Sequence, residues 1–185
     1  DAEVTKVLTR RSGQGLSVSG VKWRDAKGAE HIQHANLVVS AADLHHTETA
    51  LLPPEARSYP ENWWAHQESG PGAVLVLLGV SGELPELEHH SLFFTDDWDV
   101  NFDAIFGGNP SVPNPASIYV CKPSATDADV APEGAENLFV LIPVPADVTI
   151  GSGGINGRGD AQVEEAADRA IDQIASWAGI AGLRE

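Results

Sequence analysis

Methionine is absent from all 185 residues, and cysteine occurs once, as Cys121. The missing initiator residue leads us to expect an excerpt of a longer protein. A single cysteine excludes an internal disulfide and is compatible with a reducing cytoplasm. Basic residues are scarce: 11 Lys and Arg stand against 27 Asp and Glu, for a formal charge of −16. Such a surplus repels polyphosphate, and no basic cluster offsets it locally, which excludes a nucleic-acid binder. Long apolar runs are missing too. The longest, Ala73 to Val80, is too short for a transmembrane helix, and no signal-peptide pattern opens the chain.

What is present is a globular composition, 42% hydrophobic and 21% charged, unlike that of a disordered tail. Val4 to Leu8 and Leu16 to Arg24 are Val-, Thr- and Ser-rich runs flanking a hairpin loop, Arg11 to Gly15. A second turn at Asp25 to Gly28 leads to a short strand over Glu30 to Gln33, so a meander is expected, with a bulge near Gly20. Leu37-Val38-Val39 reads as a strand buried on both faces. Residues 41 to 52 turn helical or loop-like until Pro53-Pro54 stops them, and a domain boundary is expected between 55 and 72.

Ala73 to Leu78 has no polar face and is expected to be a central strand. Further strands are expected at Ser91 to Phe94, Ser117 to Lys122 and Asn137 to Val144. Asp97 to Phe106 predicts a helix with Val100, Phe102, Ile105 and Phe106 on one side. Asp160 is the expected N-cap of a longer helix. Its apolar stripe runs through Val163, Ala167, Ala170, Ile171, Ile174 and Ala178, with Glu164, Asp168, Arg169 and Asp172 facing water. The fold class is therefore α+β: a mixed, largely antiparallel sheet with packed helices, preceded by the meander.

Chemistry is harder to find. The glycine-rich stretch Gly151 to Gly159 lacks the spacing of either phosphate-binding fingerprint and reads as a mobile surface loop. The histidines pair as His45-His46 and His89-His90, but neighbours in sequence point apart, so no metal site is expected. Cys121 falls inside an apolar strand and reads as inert. Asp96-Asp97 and the Asp127, Asp129 pair read as capping and loop-bonding groups before they read as acid–base pairs.

Several segments nevertheless resemble one family. Ala35 to Asp43 (ANLVVSAAD) resembles the ADxVVSNAD segment of the FAD-dependent phytoene and carotenoid desaturases, and Gly20 to Gly28 loosely matches their GVxxxDG hairpin. His89 to Phe94, Asp97 to Phe106, Pro115 to Val120, Pro123 to Gly134 and Asn137 to Pro145 continue the resemblance in the family's order. The family's opening dinucleotide fingerprint and its closing flavin-side motif have no counterpart here.

The resemblance implies that residues 1–50 are the C-terminal part of an FAD-binding domain and residues 51–185 most of a substrate-binding domain. Val4, on the adenine side, and Ser40, Ala41 and Ala42, leading back to the cofactor, are the implied FAD contacts. His89, His90 and Asp127 are the implied polar residues lining the substrate cavity, and no catalytic residue is assigned. FAD is expected in the whole enzyme and not on this chain alone, which is expected to be inactive by itself. The implied substrate is a long polyene, bound in an apolar tunnel and drawn from a membrane that a cytoplasmic enzyme contacts peripherally. Exposed strand edges in the N-terminal part are expected to favour a homo-oligomer. Two alternatives stay open: a related FAD-dependent isoprenoid or retinoid oxidoreductase, and a lipid- or isoprenoid-binding module without redox chemistry.

Overall fold

The computed structural model describes residues 2–13 and 15–184. Gln14 of the expected Arg11–Gly15 loop lies outside the described residues. The chain forms two compact units, Asp1–Glu68 and Ser69–Glu185.

The first unit opens with the meander. Strands β1 (Ala2–Ser12), β2 (Gly15–Asp25) and β3 (Glu30–His34) pair antiparallel in the order β1-β2-β3. The β2–β3 turn is organised by Asp25, whose Oδ1 accepts the N–H groups of Lys27 and Ala29, each at 2.9 Å. The register slips where Leu8 faces Gly20 and Thr9 faces Val18, which is the bulge expected near Gly20. Glycine is required there: its φ is +149°, and a Cβ would lie 2.2 Å from the Gln33 carbonyl oxygen.

Leu37-Val38-Val39 departs from expectation. It forms no strand, and Leu37 and Val39 are 77% and 83% exposed. A strand buried on both faces needs neighbours at both edges and a layer on each side, and no described element supplies them. Asp43 then caps a short helix, α1 (Leu44–His46), by accepting the His46 N–H at 2.8 Å. It continues as a π-helical turn, Thr47–Leu51. Within that turn Glu48 is buried, and its carboxylate accepts the N–H groups of Ser58 (2.8 Å) and Tyr59 (3.4 Å). Helix α2 (Glu61–Trp64) follows, with Tyr59 stacked on Trp63 and edge-on to Trp64.

The second unit is built on strands β4 (Gly72–Ser81), β5 (His90–Phe93), β6 (Ile118–Cys121) and β7 (Ala135–Val144). Their order is β4-β7-β6-β5, with every pairing antiparallel. Among the described residues both sheets are purely antiparallel, so the fold is α+β without the mixed sheet expected. The wholly apolar β4 is an edge strand, not a central one, and Leu75 and Leu77 are 52% and 75% exposed. Its apolarity serves two faces, one buried in the core and one open to solvent.

On the buried face, Val74, Ile118, Val120, Leu138, Val140, Ile142 and Val144 meet helix α4 (Ala161–Ala178). The centre of the helix stripe is Ala166, Ala170 and Ile174, while the expected Val163, Ala167 and Ile171 are half-buried at its margin. Ala166, outside the expected stripe, is buried because it lies four residues before Ala170 on the same helical face. A side-chain clamp fixes the helix: Gln173 Nε2 donates to the Ala116 carbonyl (2.7 Å), and its Oε1 accepts the Ala116 N–H (3.2 Å).

Helix α3 (Trp98–Phe106) starts at Asp97, whose carboxylate accepts the Val100 N–H at 3.1 Å. Its packing side differs from the expectation. Val100, Phe102 and Phe106 are more than half exposed, and the buried residue is Asn101. That amide bonds Thr95 Oγ1 (2.9 Å) and the Pro115 carbonyl and accepts the Ser117 N–H (3.0 Å), so polar bonds rather than the apolar stripe dock the helix. The freed stripe forms a ladder of rings, Phe94, Trp98, Phe102 and Phe106, with successive centroids 5.0, 6.0 and 6.1 Å apart.

Candidate functional site: an open apolar sheet face

Alternation along each strand assigns every second side chain to the face opposite α4. The pairing registers align these residues into two rows across the sheet. One row is Leu75, Leu141, Tyr119 and Leu92; the other is Leu77, Phe139, Cys121 and His90. Leu75, Leu77 and Leu92 are exposed, and Phe139, Leu141, Tyr119 and Cys121 are half-buried. The face is therefore an apolar plate, crossed edge-on by the contact of Tyr119 with Phe139 at 6.4 Å. At one end a depression of about 640 Å³ is bounded by Leu77 and Phe139 on the sheet and by Pro123, Val130 and Pro132 of the β6–β7 connection.

The plate has one polar corner. His90 Nδ1 lies 2.8 Å from the Tyr119 hydroxyl, with the two rings stacked. His89 stands just before β5, so its ring folds back against His90, 4.3 Å between centroids, and its Nδ1 lies 2.7 Å from Thr126 Oγ1. The Tyr119 hydroxyl also hydrogen-bonds Cys121; this bond foremost, then burial, pushes the phenol above its ordinary pKa. Nothing else on the plate is titratable.

The implied site residues fall as follows. His89 and His90 lie together at this corner. Asp127 is in the adjoining connection, but its carboxylate accepts the Asp129 N–H at 3.0 Å and caps the 3-10 turn Ala128–Val130. Val4 is on β1, opposite Trp23 and 40% exposed. Ser40 bonds Thr47 through their hydroxyls at 2.7 Å, and Ala41 and Ala42 are exposed just before the Asp43 cap.

Tyr119 and Cys121 were not singled out from sequence as site residues, and Cys121 was read as inert. Their common parity with the open face was visible in the alternation Ile118, Tyr119, Val120, Cys121. Their meeting with His90 depends on the β5–β6 register, a long-range pairing that local pattern does not encode.

The glycine-rich loop tests whether this chain fits a dinucleotide cofactor. Phosphate-binding loops need free backbone N–H groups. Here Ser152 N–H donates to the Asp160 carboxylate (2.8 Å) and Gly159 N–H to the Glu164 carboxylate (2.6 Å). Two anionic side chains thus bond the loop backbone at Ser152 and Gly159. The loop does not fit an FAD pyrophosphate.

No family model matches the chain. Individual relatives do. The chain is 40% identical over 144 residues to a carotenoid 3,4-desaturase of Haloarcula japonica, a match covering 78% of this chain and 27% of that protein. It is 35% identical over 144 residues to a zeta-carotene-forming phytoene desaturase of Myxococcus xanthus, covering 78% and 26%. A phytoene desaturase of Fusarium fujikuroi is 34% identical over 110 residues, covering 60% and 19%. The matched stretch thus spans about a quarter of the length of the first two relatives.

Proposed function

Because the chain belongs to the phytoene and carotenoid desaturase family, we propose that it supplies the substrate-binding sheet of an FAD-dependent carotenoid desaturase. The observation that carries this reading is the open apolar plate. A polyene hydrocarbon offers no hydrogen bonds and is recognised by apolar surface and shape, and rows of Leu, Phe and Tyr provide that surface. Leaving this much apolar area bare costs about 25 cal/mol per Å², which an apolar ligand recovers when it covers the plate.

In the whole protein FAD, held by segments other than the glycine-rich loop, would supply the redox chemistry of a desaturase. This chain binds and orients the substrate, excludes water from it, and offers one proton acceptor, His90, at the polar corner. Tyr119 fixes the orientation of that imidazole. The ring ladder on α3 suits contact with the bilayer surface from which such a substrate is drawn, through aromatic side chains of the kind that settle at membrane interfaces. No helix among the described residues is long and apolar enough to cross a membrane.

The test is desaturation by the whole protein carrying Leu77→Asp or Leu92→Asp, with flavin content measured on the same preparations. Both positions are at least 60% exposed, so folding and flavin loading stay intact while turnover of a carotenoid substrate collapses. Normal turnover in both variants would remove the plate from the substrate path.

A further inference from the structure

The polar corner has a second chemical capacity. One ring nitrogen of His89, one of His90 and the sulfur of Cys121 all lie within 4.8 Å of one another. Adjacent histidines in a strand point apart, but His89 precedes β5 and its ring comes to within 4.3 Å of that of His90. Each imidazole has its Nδ1 engaged by a hydroxyl, from Thr126 and Tyr119 respectively. The Nε2 atoms have no side-chain or backbone partner among the described residues.

This is the outer-shell arrangement of metal-binding histidines, in which a bond at one ring nitrogen fixes the tautomer and aims the other. Tyr119 links the set through its hydroxyl, 2.8 Å from His90 Nδ1; with the proton on that nitrogen, the Nε2 lone pair is left for a metal. We propose that His89, His90 and Cys121 form a binding site for a thiophilic divalent ion of the zinc type. Two imidazoles and a thiolate select such ions over magnesium or calcium, which prefer oxygen. Bonds of about 2.0–2.3 Å in a tetrahedral site set ligand atoms roughly 3.3–3.8 Å apart. The ligand atoms now lie within 4.8 Å of one another, so the site closes by side-chain movement alone. Three protein ligands leave the fourth position to water. A bound ion would take the His90 lone pair assigned above to proton acceptance, so this is an alternative use of that side chain, and metal binding by the chain alone tests it apart from turnover.

The chain contains one cysteine, which makes the test specific. Metal-free chain is titrated with cobalt(II), and a thiolate-to-metal charge-transfer band is followed by absorbance. The expected result is one cobalt per chain with that band, displaced by one equivalent of zinc(II). Cys121→Ser abolishes the band, and His90→Ala weakens binding at least tenfold. Thr126→Val, which leaves all three ligands in place, weakens it about 10- to 100-fold. Circular dichroism on each variant checks the fold, and His90→Ala and Thr126→Val, both at exposed residues, carry the test if Cys121→Ser does not fold. No band at saturating cobalt overturns the proposal. So does binding that survives Cys121→Ser unchanged, which would place the ion on other histidines such as His45 and His46.

Discussion

The Tyr119 hydroxyl stands 2.8 Å from His90 Nδ1, tying β6 to β5 on the sheet face opposite α4. If that bond positions the imidazole toward a polyene, Tyr119→Phe in the whole enzyme lowers turnover while leaving substrate KM unchanged. One neutral hydrogen bond is worth about 1 kcal/mol, or roughly fivefold in rate. Asp127→Ala, by contrast, removes a turn cap and leaves turnover near wild type. Steady-state kinetics at equal flavin content measure both. Equal rates for Tyr119→Phe and wild type would count against a positioning role.

Flavin binding by the chain alone provides a second check. Two backbone N–H groups of the glycine-rich loop, those of Ser152 and Gly159, already bond Asp160 and Glu164, and the formal charge of −16 repels an anionic cofactor. After incubation with excess FAD and desalting, the chain retains no flavin absorbance. A yellow preparation with one flavin per chain would show that a cofactor site exists here after all.

A third prediction concerns acid. Glu136 accepts a hydrogen bond from the Ser124 hydroxyl, lies 3.7 Å from Lys122 Nζ and takes the Leu84 N–H; the Ser124 bond foremost holds its pKa below the ordinary 4.5. A carboxyl group depressed by folding adds stability that is present above its unfolded pKa and is lost as pH falls through the folded one. Thermal midpoints should therefore fall on acidification from pH about 4.5 downward, and Glu136→Gln should flatten that part of the curve. Lys122, buried with its Nζ 2.6 Å from the Leu84 carbonyl, is the stronger anchor. Lys122→Met removes the partner of the Leu84 carbonyl and the counter-charge of Glu136, and costs about 3 kcal/mol by denaturant melts.

Packing on the other face gives a fourth. Ile174 is fully buried between α4 and the sheet, so Ile174→Ala destabilises by about 2–5 kcal/mol. Leu77→Asp, on the exposed side, changes stability by about 0.5 kcal/mol or less. Chemical denaturation of the two variants compares the faces directly. Similar losses at both positions would mean that the plate is covered.

These contrasts mark where the sequence was legible. The strands of the second unit and helices α3 and α4 follow from apolar periodicity, which local geometry enforces. The sequence does not say which apolar face is covered. β4 reads as a central strand because Ala73 to Leu78 are all apolar, yet its second face is open. The α3 stripe reads as a packing surface, while Asn101 makes the docking contacts. Leu37 to Val39 reads as buried because it is apolar, and burial requires partners that periodicity cannot supply. At the site, His89 and His90 were visible as residue types. Their companions Tyr119 and Cys121 depend on a register joining positions about thirty residues apart.

The strand order β4-β7-β6-β5 carries a consequence for how the chain acquires its structure. β4 is the first strand of its sheet to be made, and its sole partner, β7, is the last, with Gly72 opposite Val144. Until residue 144 has left the ribosome, ten consecutive residues of high stickiness have no edge to join. Such long loop closures slow folding and lengthen exposure to wrong partners. A nascent chain arrested before β7 should therefore be a strong chaperone client, whereas one arrested after Val144 should already be protected from proteolysis across β4.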